Sequence, residues 1–371
     1  MRSRTPCAAL LLALAALTAT HAATPRPEVV AKDLEHPWGL AFLPGGRFLV
    51  TERPGRLRVV EADGRTSAPV AGVPPVVAQG QGGLLDVVTD SAFAQNRTVY
   101  LCYSEPDTLS GRTNSTALAS ARLSDDGTRL EGLRVLFSQR PKVASHLHFG
   151  CRIVESGPAL FLTLGDRFRQ AADAQTLDNH HGKVVRVLKN GGVPPDNPLV
   201  TAPRPGALAD IWSWGHRNVQ GATLGPDGQL WTHEHGPQGG DEINRPQAGQ
   251  NHGWPVVSFG KHYGGATIGE GLTEKPGMQP PLHHWTPSIA PSGMAFVTSD
   301  RYGPAWKGSL MVGSLKFGHL ARLTLANGKV VAEERLLQDR GQRVRDVRQG
   351  PDGLLYVLTD SPEGELLRLL P

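Results

Sequence analysis

One phrase recurs along this chain and restricts its fold more than any other feature. It is an apolar strand, a turn rich in Gly, Pro or Asp, a second apolar strand, and a polar corner. The clearest copies are WGLAFLPGGRFLVTE (Trp38 to Glu52), VQGATLGPDGQLWTHE (Val219 to Glu234) and RDVRQGPDGLLYVLTD (Arg345 to Asp360). Two alternating runs joined by such a turn read as a β-hairpin. Looser copies lie at Gly83 to Glu105, Phe149 to Asp166 and Ser292 to Leu315. Some units run on into a further strand, as at Gly55 to Val60 and Gly364 to Leu370. Six units of this kind, poor in helical periodicity, predict an all-β fold: a six-bladed β-propeller of four-stranded antiparallel blades. A β-sandwich or two stacked β domains fit less well, because the units span nearly the whole chain. Function is then expected in the polar corners, at one end of the central channel.

Composition agrees. The 44 glycines and 30 prolines are spread along the 371 residues rather than pooled in a linker, as many short strands and turns require. The net charge of +4 contains no basic run, which argues against a nucleic-acid partner. The first residues read as a secretory signal: Arg2 and Arg4, an apolar run from Ala8 to Leu17, then Thr20-His21-Ala22. Cleavage is expected after Ala22, leaving residues 23–371 as one catalytic propeller domain, periplasmic or secreted. No second apolar run follows, so an integral membrane protein is not expected. Cys7 falls within the leader. Export would permit a disulfide between Cys102 and Cys151, but their distance in sequence does not establish one; two buried thiols on strands are expected.

Several corners are more specific than turns need to be. They are QGQGGLLD (Gln79 to Asp86), HFGCRIV (His148 to Val154), LTLGDR (Leu162 to Arg167) and WGHRNVQG (Trp214 to Gly221). EHGPQGGDEIN (Glu234 to Asn244), NHGWP (Asn251 to Pro255), GSLKFG (Gly313 to Gly318) and GQRVRDV (Gly341 to Val347) follow. In this order, from about His36 to the C-terminus, they resemble the soluble aldose sugar dehydrogenases that depend on pyrroloquinoline quinone (PQQ). More distantly they are similar to the soluble quinoprotein glucose dehydrogenase.

The resemblance implies a six-bladed propeller with PQQ over the channel mouth and calcium beside it. It implies oxidation of an aldose at C1 to the lactone, by base-assisted hydride transfer. That chemistry needs a general base within reach of the sugar hydroxyl, and the family's base falls on His148. Asp166 matches the acid that orients it, fixing the tautomer and stabilising imidazolium. Arg217 matches the residue against the quinone oxygens, where it would stabilise developing charge; Asn218 adds a hydrogen bond. Lys316, Arg343 and Arg345 match binders of the cofactor's carboxylates, and Gln81 and Tyr263 further cofactor contacts, with a packing role also open for Tyr263. Calcium prefers oxygen ligands, and the resemblance places them at the carbonyls of Gly236 and Pro237. It places a second ion near Glu242, with a carbonyl at His252. The electron acceptor, a cytochrome or a quinone, is left open, as is monomer or dimer.

Four departures from the family pattern stand out. GGRLV is here GCRIV, GHRNPQG is GHRNVQG, NYGWP is NHGWP, and RFRQAADAQ after Asp166 carries no family signature. The last lies near the expected sugar pocket. His233 and His235, and likewise His146 and His148, alternate as zinc-binding pairs can, so a zinc hydrolase is a second reading. A calcium-dependent propeller lactonase and a non-catalytic ligand-binding propeller are others. The lactonase has no use for the set Lys316, Arg343 and Arg345.

Overall fold

The computed structural model describes residues 24–109 and 111–371; the expected leader lies outside them. The described residues form six antiparallel sheets. Their innermost strands are Pro37–Leu43, Leu84–Thr89, Gly150–Ser156, Val219–Leu224, Pro291–Phe296 and Val344–Gln349. Each pairs with the strand that follows it in its unit: Arg47–Glu52, Thr98–Pro106, Ala159–Leu164, Leu230–Glu234, Leu310–Ser314 and Leu355–Thr359. The six repeats read from the sequence are therefore the inner hairpins of six blades. Five blades are four-stranded. The first, residues 37–60, has three strands and only an isolated bridge, Val60 to Thr66, in the outer position.

Apolar alternation explains the packing. Leu160, Leu162 and Leu164 on the third blade's second strand are fully buried. They share a cluster with Leu85, Leu118 and Phe137 of the second blade. Each side chain so buried contributes about 1.5–3 kcal/mol. One strand gave no signal in the repeat pattern. Arg26–Leu34 is the outermost strand of the last blade and pairs antiparallel with Gly364–Leu370, Arg26 opposite Leu370 and Leu34 opposite Gly364. The ring is closed by its two ends.

In all six blades the register between the inner two strands slips near one end of the channel. A bulge bends the strand and re-aims side chains. Trp38, Leu85, Gln220 and Arg345 all fall at these slips, and all four line the same cavity. Glycines accompany three of them. A Cβ on Gly39 would lie 2.9 Å from Asp86 Oδ1, on Gly221 2.0 Å from His233 Nε2, and on Gly293 2.1 Å from Asp346 Oδ1.

Below the cavity the axis is closed by charge. Arg152 reaches Asp86 at 3.1 Å and Asp346 at 3.2 Å, and Arg348 bonds the same two carboxylates at 2.8 and 3.0 Å. The Arg152 guanidinium lies 4.1 Å from the Trp38 ring centre. Buried charges arranged in this way meet their desolvation cost only by complete pairing. Arg152 Nε also donates to Gln220 O, and Asp86 Oδ2 accepts from Ile153 N.

The expectation of two free thiols is overturned. Cys102 and Cys151 are disulfide-bonded, with Cα atoms 5.7 Å apart. Cys102 lies on the second strand of one blade and Cys151 on the innermost strand of the next, so ring packing brings together what 49 residues separate.

Candidate active site

A cavity of about 1220 Å³ opens at the bulged end of the channel. Gln81, Asn218, Gly236, Pro237, Tyr263, Lys316, Arg343 and Arg345, all singled out in the sequence, line it. His148, Asp166 and Arg217 stand directly behind that lining. Gln81 Oε1 accepts from His148 N at 2.7 Å, and Arg217 Nη1 donates to Gly236 O at 2.8 Å and His235 O at 3.1 Å.

His148 has a left-handed backbone (φ 51°) just before the third blade's innermost strand, and its side chain is buried. Its Nδ1 lies 2.6 Å from Asp166 Oδ1. Asp166 follows the neighbouring strand and accepts two more bonds: Phe168 N on Oδ1 and Trp254 Nε1 on Oδ2, each at 2.8 Å. A carboxylate that takes the Nδ1 proton leaves Nε2 as the basic nitrogen. Burial lowers the pKa of His148; Asp166 opposes this, while Arg217 and Arg167 add to it. The outcome is a neutral imidazole at neutral pH, competent as a base. Hydrogen bonding to His148 and the charge of Arg217 hold Asp166 ionised against its burial.

On the opposite wall, Arg343 Nη2 and Arg345 Nη2 reach one carboxylate, Asp360 Oδ2, at 3.0 and 2.8 Å. Arg343 precedes the strand rather than lying on it, yet both side chains face the same way, as spacing by two suggests. Asp360, the partner that sequence reasoning missed, is held well below the usual carboxylate range by these two cations against its own burial. Five cations (Arg53, Lys261, Lys316, Arg343, Arg345) and two carboxylates (Asp241, Asp360) line the cavity. The buried Nε atoms of Arg217 and Arg345 have no partner. Five cations against two carboxylates around one cavity fit a ligand rich in carboxylates, as PQQ is.

The Gly236 corner crowds backbone oxygens. A Cβ there would lie 2.3 Å from the carbonyl oxygens of both Gly239 and Gly240. Gly236 and Pro237 face the cavity, and carbonyl oxygens are ligands that a hard cation accepts; Gly236 O also accepts from Arg217 Nη1. The region predicted for a second ion is linked internally. His252 stacks on His216 at 4.7 Å, His216 Nδ1 meets Glu234 Oε1 at 2.9 Å, and Asn244 Nδ2 bridges Glu234 and Glu242. Burial and the neighbouring Glu234 push the Glu242 carboxyl up to about 8. Asn244 Oδ1 is buried without a partner. Two carboxylates and a bare amide oxygen fit a cation, although among the described residues no group of three or more His, Cys, Asp or Glu side chains is arranged to hold one.

Some readings need correction. Tyr263 has no packing role: it is 70% exposed, at the tip of a hairpin whose Lys261 pairs with Thr267 and, at the base, with Gln238. The paired histidines go to separate uses. His235 Nε2 is 2.7 Å from Pro291 O, and His146 is exposed while His148 binds Asp166. The sequence left Trp254 and Arg167 without roles, although both lie in motifs that it singled out.

A model of the family described as Glucose / Sorbosone dehydrogenase matches residues 34–368. An aldose sugar dehydrogenase, YliI, of Escherichia coli is 47% identical over 94% of either chain. The structure of a soluble aldose sugar dehydrogenase from Escherichia coli in the apo form superposes with a TM-score of 0.89, covering 94% of this chain and all of that one, at 45% identity. A PQQ-bound aldose sugar dehydrogenase from Streptomyces coelicolor superposes with a TM-score of 0.74 at 27% identity, over 93% and 98% of the two chains.

Proposed function

Because the chain belongs to the glucose/sorbosone dehydrogenase family, we propose that it oxidises aldose sugars at C1 to the lactone, with PQQ and calcium as cofactors. The observation that carries this reading is the pairing of a buried His148–Asp166 couple with a cavity lined by the cations Arg53, Lys261, Lys316, Arg343 and Arg345. When bound, PQQ supplies the acceptor for the hydride leaving C1. The rest falls to the chain. His148 Nε2 takes the proton of the anomeric hydroxyl, so that C1 loses a hydride and its oxygen a proton, which balances as the lactone. Asp166 holds the Nδ1–H tautomer and stabilises the imidazolium that forms. Arg217, close to the base, offers positive charge toward the cavity. Lys316, Arg343 and Arg345 hold carboxylates, Gln81 and Asn218 supply polar contacts, and Tyr263 covers the open side. Gly236 and Pro237 would hold one calcium through carbonyls; Glu242, with the His252 carbonyl, would hold another.

The reading predicts that purified apoprotein is inactive and gains aldose-dependent dye reduction when PQQ and calcium are added together. NAD is expected to have no effect, because no G-x-G-x-x-G follows a strand and opens a helix here. Absence of PQQ binding in an absorption titration, together with no dye reduction for a panel of aldoses, would overturn it. Export with removal of the first 22 residues, electron transfer to a cytochrome or quinone, and a monomeric or dimeric state complete the proposal.

A further inference from the structure

We infer that Arg167 is a positioning residue that holds His148 in its reactive pose. The guanidinium is fully buried and spends its donors on the loop that carries the base. Its Nε donates to Leu147 O at 3.1 Å and Nη2 to Ser145 O at 2.5 Å. Nη1 and Nη2 anchor this assembly on Asn114, at O (3.1 Å) and Oδ1 (2.6 Å). The Arg167 carbonyl returns a bond, accepting from Ser145 Oγ at 2.8 Å. The guanidinium carbon lies 3.9 Å from the centre of the Phe149 ring. Arg167 therefore grips the residues on both sides of His148. Its own neighbours meet the imidazole directly: Asp166 at Nδ1, and Phe168 edge-to-face at 5.3 Å.

The backbone shows why a grip is needed. His148, Arg167 and Phe168 all have positive φ (51°, 57° and 71°), a region that L side chains avoid unless their surroundings impose it. Only a planar fork of five donors can reach carbonyls at 145 and 147 and an amide at 114 at once; an ammonium is a single point. Burial lowers the pKa of Arg167 to about 9, which leaves it charged at neutral pH. That charge disfavours a second one on His148.

This inference rests on His148 acting as the base, and the test separates the two. Arg167→Met, Arg167→Lys, His148→Ala and the double variant Arg167→Met/His148→Ala are compared after reconstitution with PQQ and calcium. PQQ affinity, read by absorption titration, is expected within about threefold of the parent in all four. Arg167→Met is expected to lose about 10- to 100-fold in kcat with little change in KM. The acid limb of its pH profile moves to higher pH, because removing the cation raises the pKa of His148. Arg167→Lys loses kcat without that shift, and carries the test alone if the Met variant fails to fold. The double variant is no slower than His148→Ala, since Arg167 acts through the imidazole. An inactive His148→Ala beside an Arg167 variant with parental kcat and pH profile overturns the role of Arg167. A fully active His148→Ala overturns the base itself.

Discussion

Replacing Asp166 with Asn is nearly isosteric and tests the proposed chemistry directly. Three donors converge on this carboxylate: His148 Nδ1–H at 2.6 Å, and Phe168 N–H and Trp254 Nε1–H at 2.8 Å. An amide has one acceptor oxygen and one donor group. With its oxygen toward His148, its NH2 faces the Trp254 N–H, donor against donor. Reversed, its NH2 faces Nδ1, which moves the imidazole proton to Nε2 and removes the base. The first arrangement loses a hydrogen bond to a charged group, about 1.5–3 kcal/mol, or roughly 10- to 150-fold in rate. The second approaches the loss of about 10⁴-fold caused by the matching change in a Ser–His–Asp triad. The pH profile supplies the sign. Asp166 supports the pKa of His148 against burial and the charges of Arg217 and Arg167, so its loss lowers that pKa further. His148 works as a base when neutral, above its pKa, so the acid limb of kcat/KM moves to lower pH while the plateau falls. Dye-linked turnover at saturating PQQ and calcium, measured below the thermal transition of each variant, reads both quantities. A plateau within threefold of the parent, or a limb displaced to higher pH, would refute the reasoning.

Three further outcomes are expected. His148→Ala should bind PQQ normally and lose about 10²–10⁴-fold in kcat, whereas Lys316→Ala should lose about ten- to a hundredfold in PQQ affinity and regain part of its rate with excess cofactor; parallel titrations with turnover decide it, and normal PQQ binding by Lys316→Ala would make that residue an ordinary surface lysine. Replacing Cys102 and Cys151 together with Ala should lower stability by about 2–4 kcal/mol in denaturant unfolding, a role ruled out if the midpoint and slope stay at parental values.

The blades were legible because period-two alternation and turn chemistry are local. Each inner hairpin sits within one short stretch, and all six matched observed strands. Ring closure was not legible: Arg26–Leu34 finds its partner at the other end of the chain, and nothing within nine residues says so. The disulfide failed for the same reason, since only packing of neighbouring blades brings Cys102 to Cys151. In the site, His148 and Asp166 are joined as the motif resemblance implies. Asp360 and Trp254 escaped notice because their roles depend on contacts with Arg343, Arg345 and Asp166 across the fold. One signal could have been read: a glycine inside an apolar strand marks a bulge, and Gly39, Gly221 and Gly293 mark three places where side chains turn toward the channel.

The closure of the ring by its two ends has a consequence for how the chain is made. Synthesis proceeds from the N-terminus, so Arg26–Leu34 emerges well before its partner Gly364–Leu370. Until that partner appears, Arg26–Leu34 is an open edge with unpaired amides and carbonyls, the kind of surface on which chains add to one another. A contact spanning nearly the full length also closes slowly. In a crowded compartment the terminal strand of one copy can reach the waiting edge of another before its own, giving an exchanged dimer whose blades are all native. The same pairing that seals the finished molecule thus sets the interval in which a growing one is most open to its neighbours.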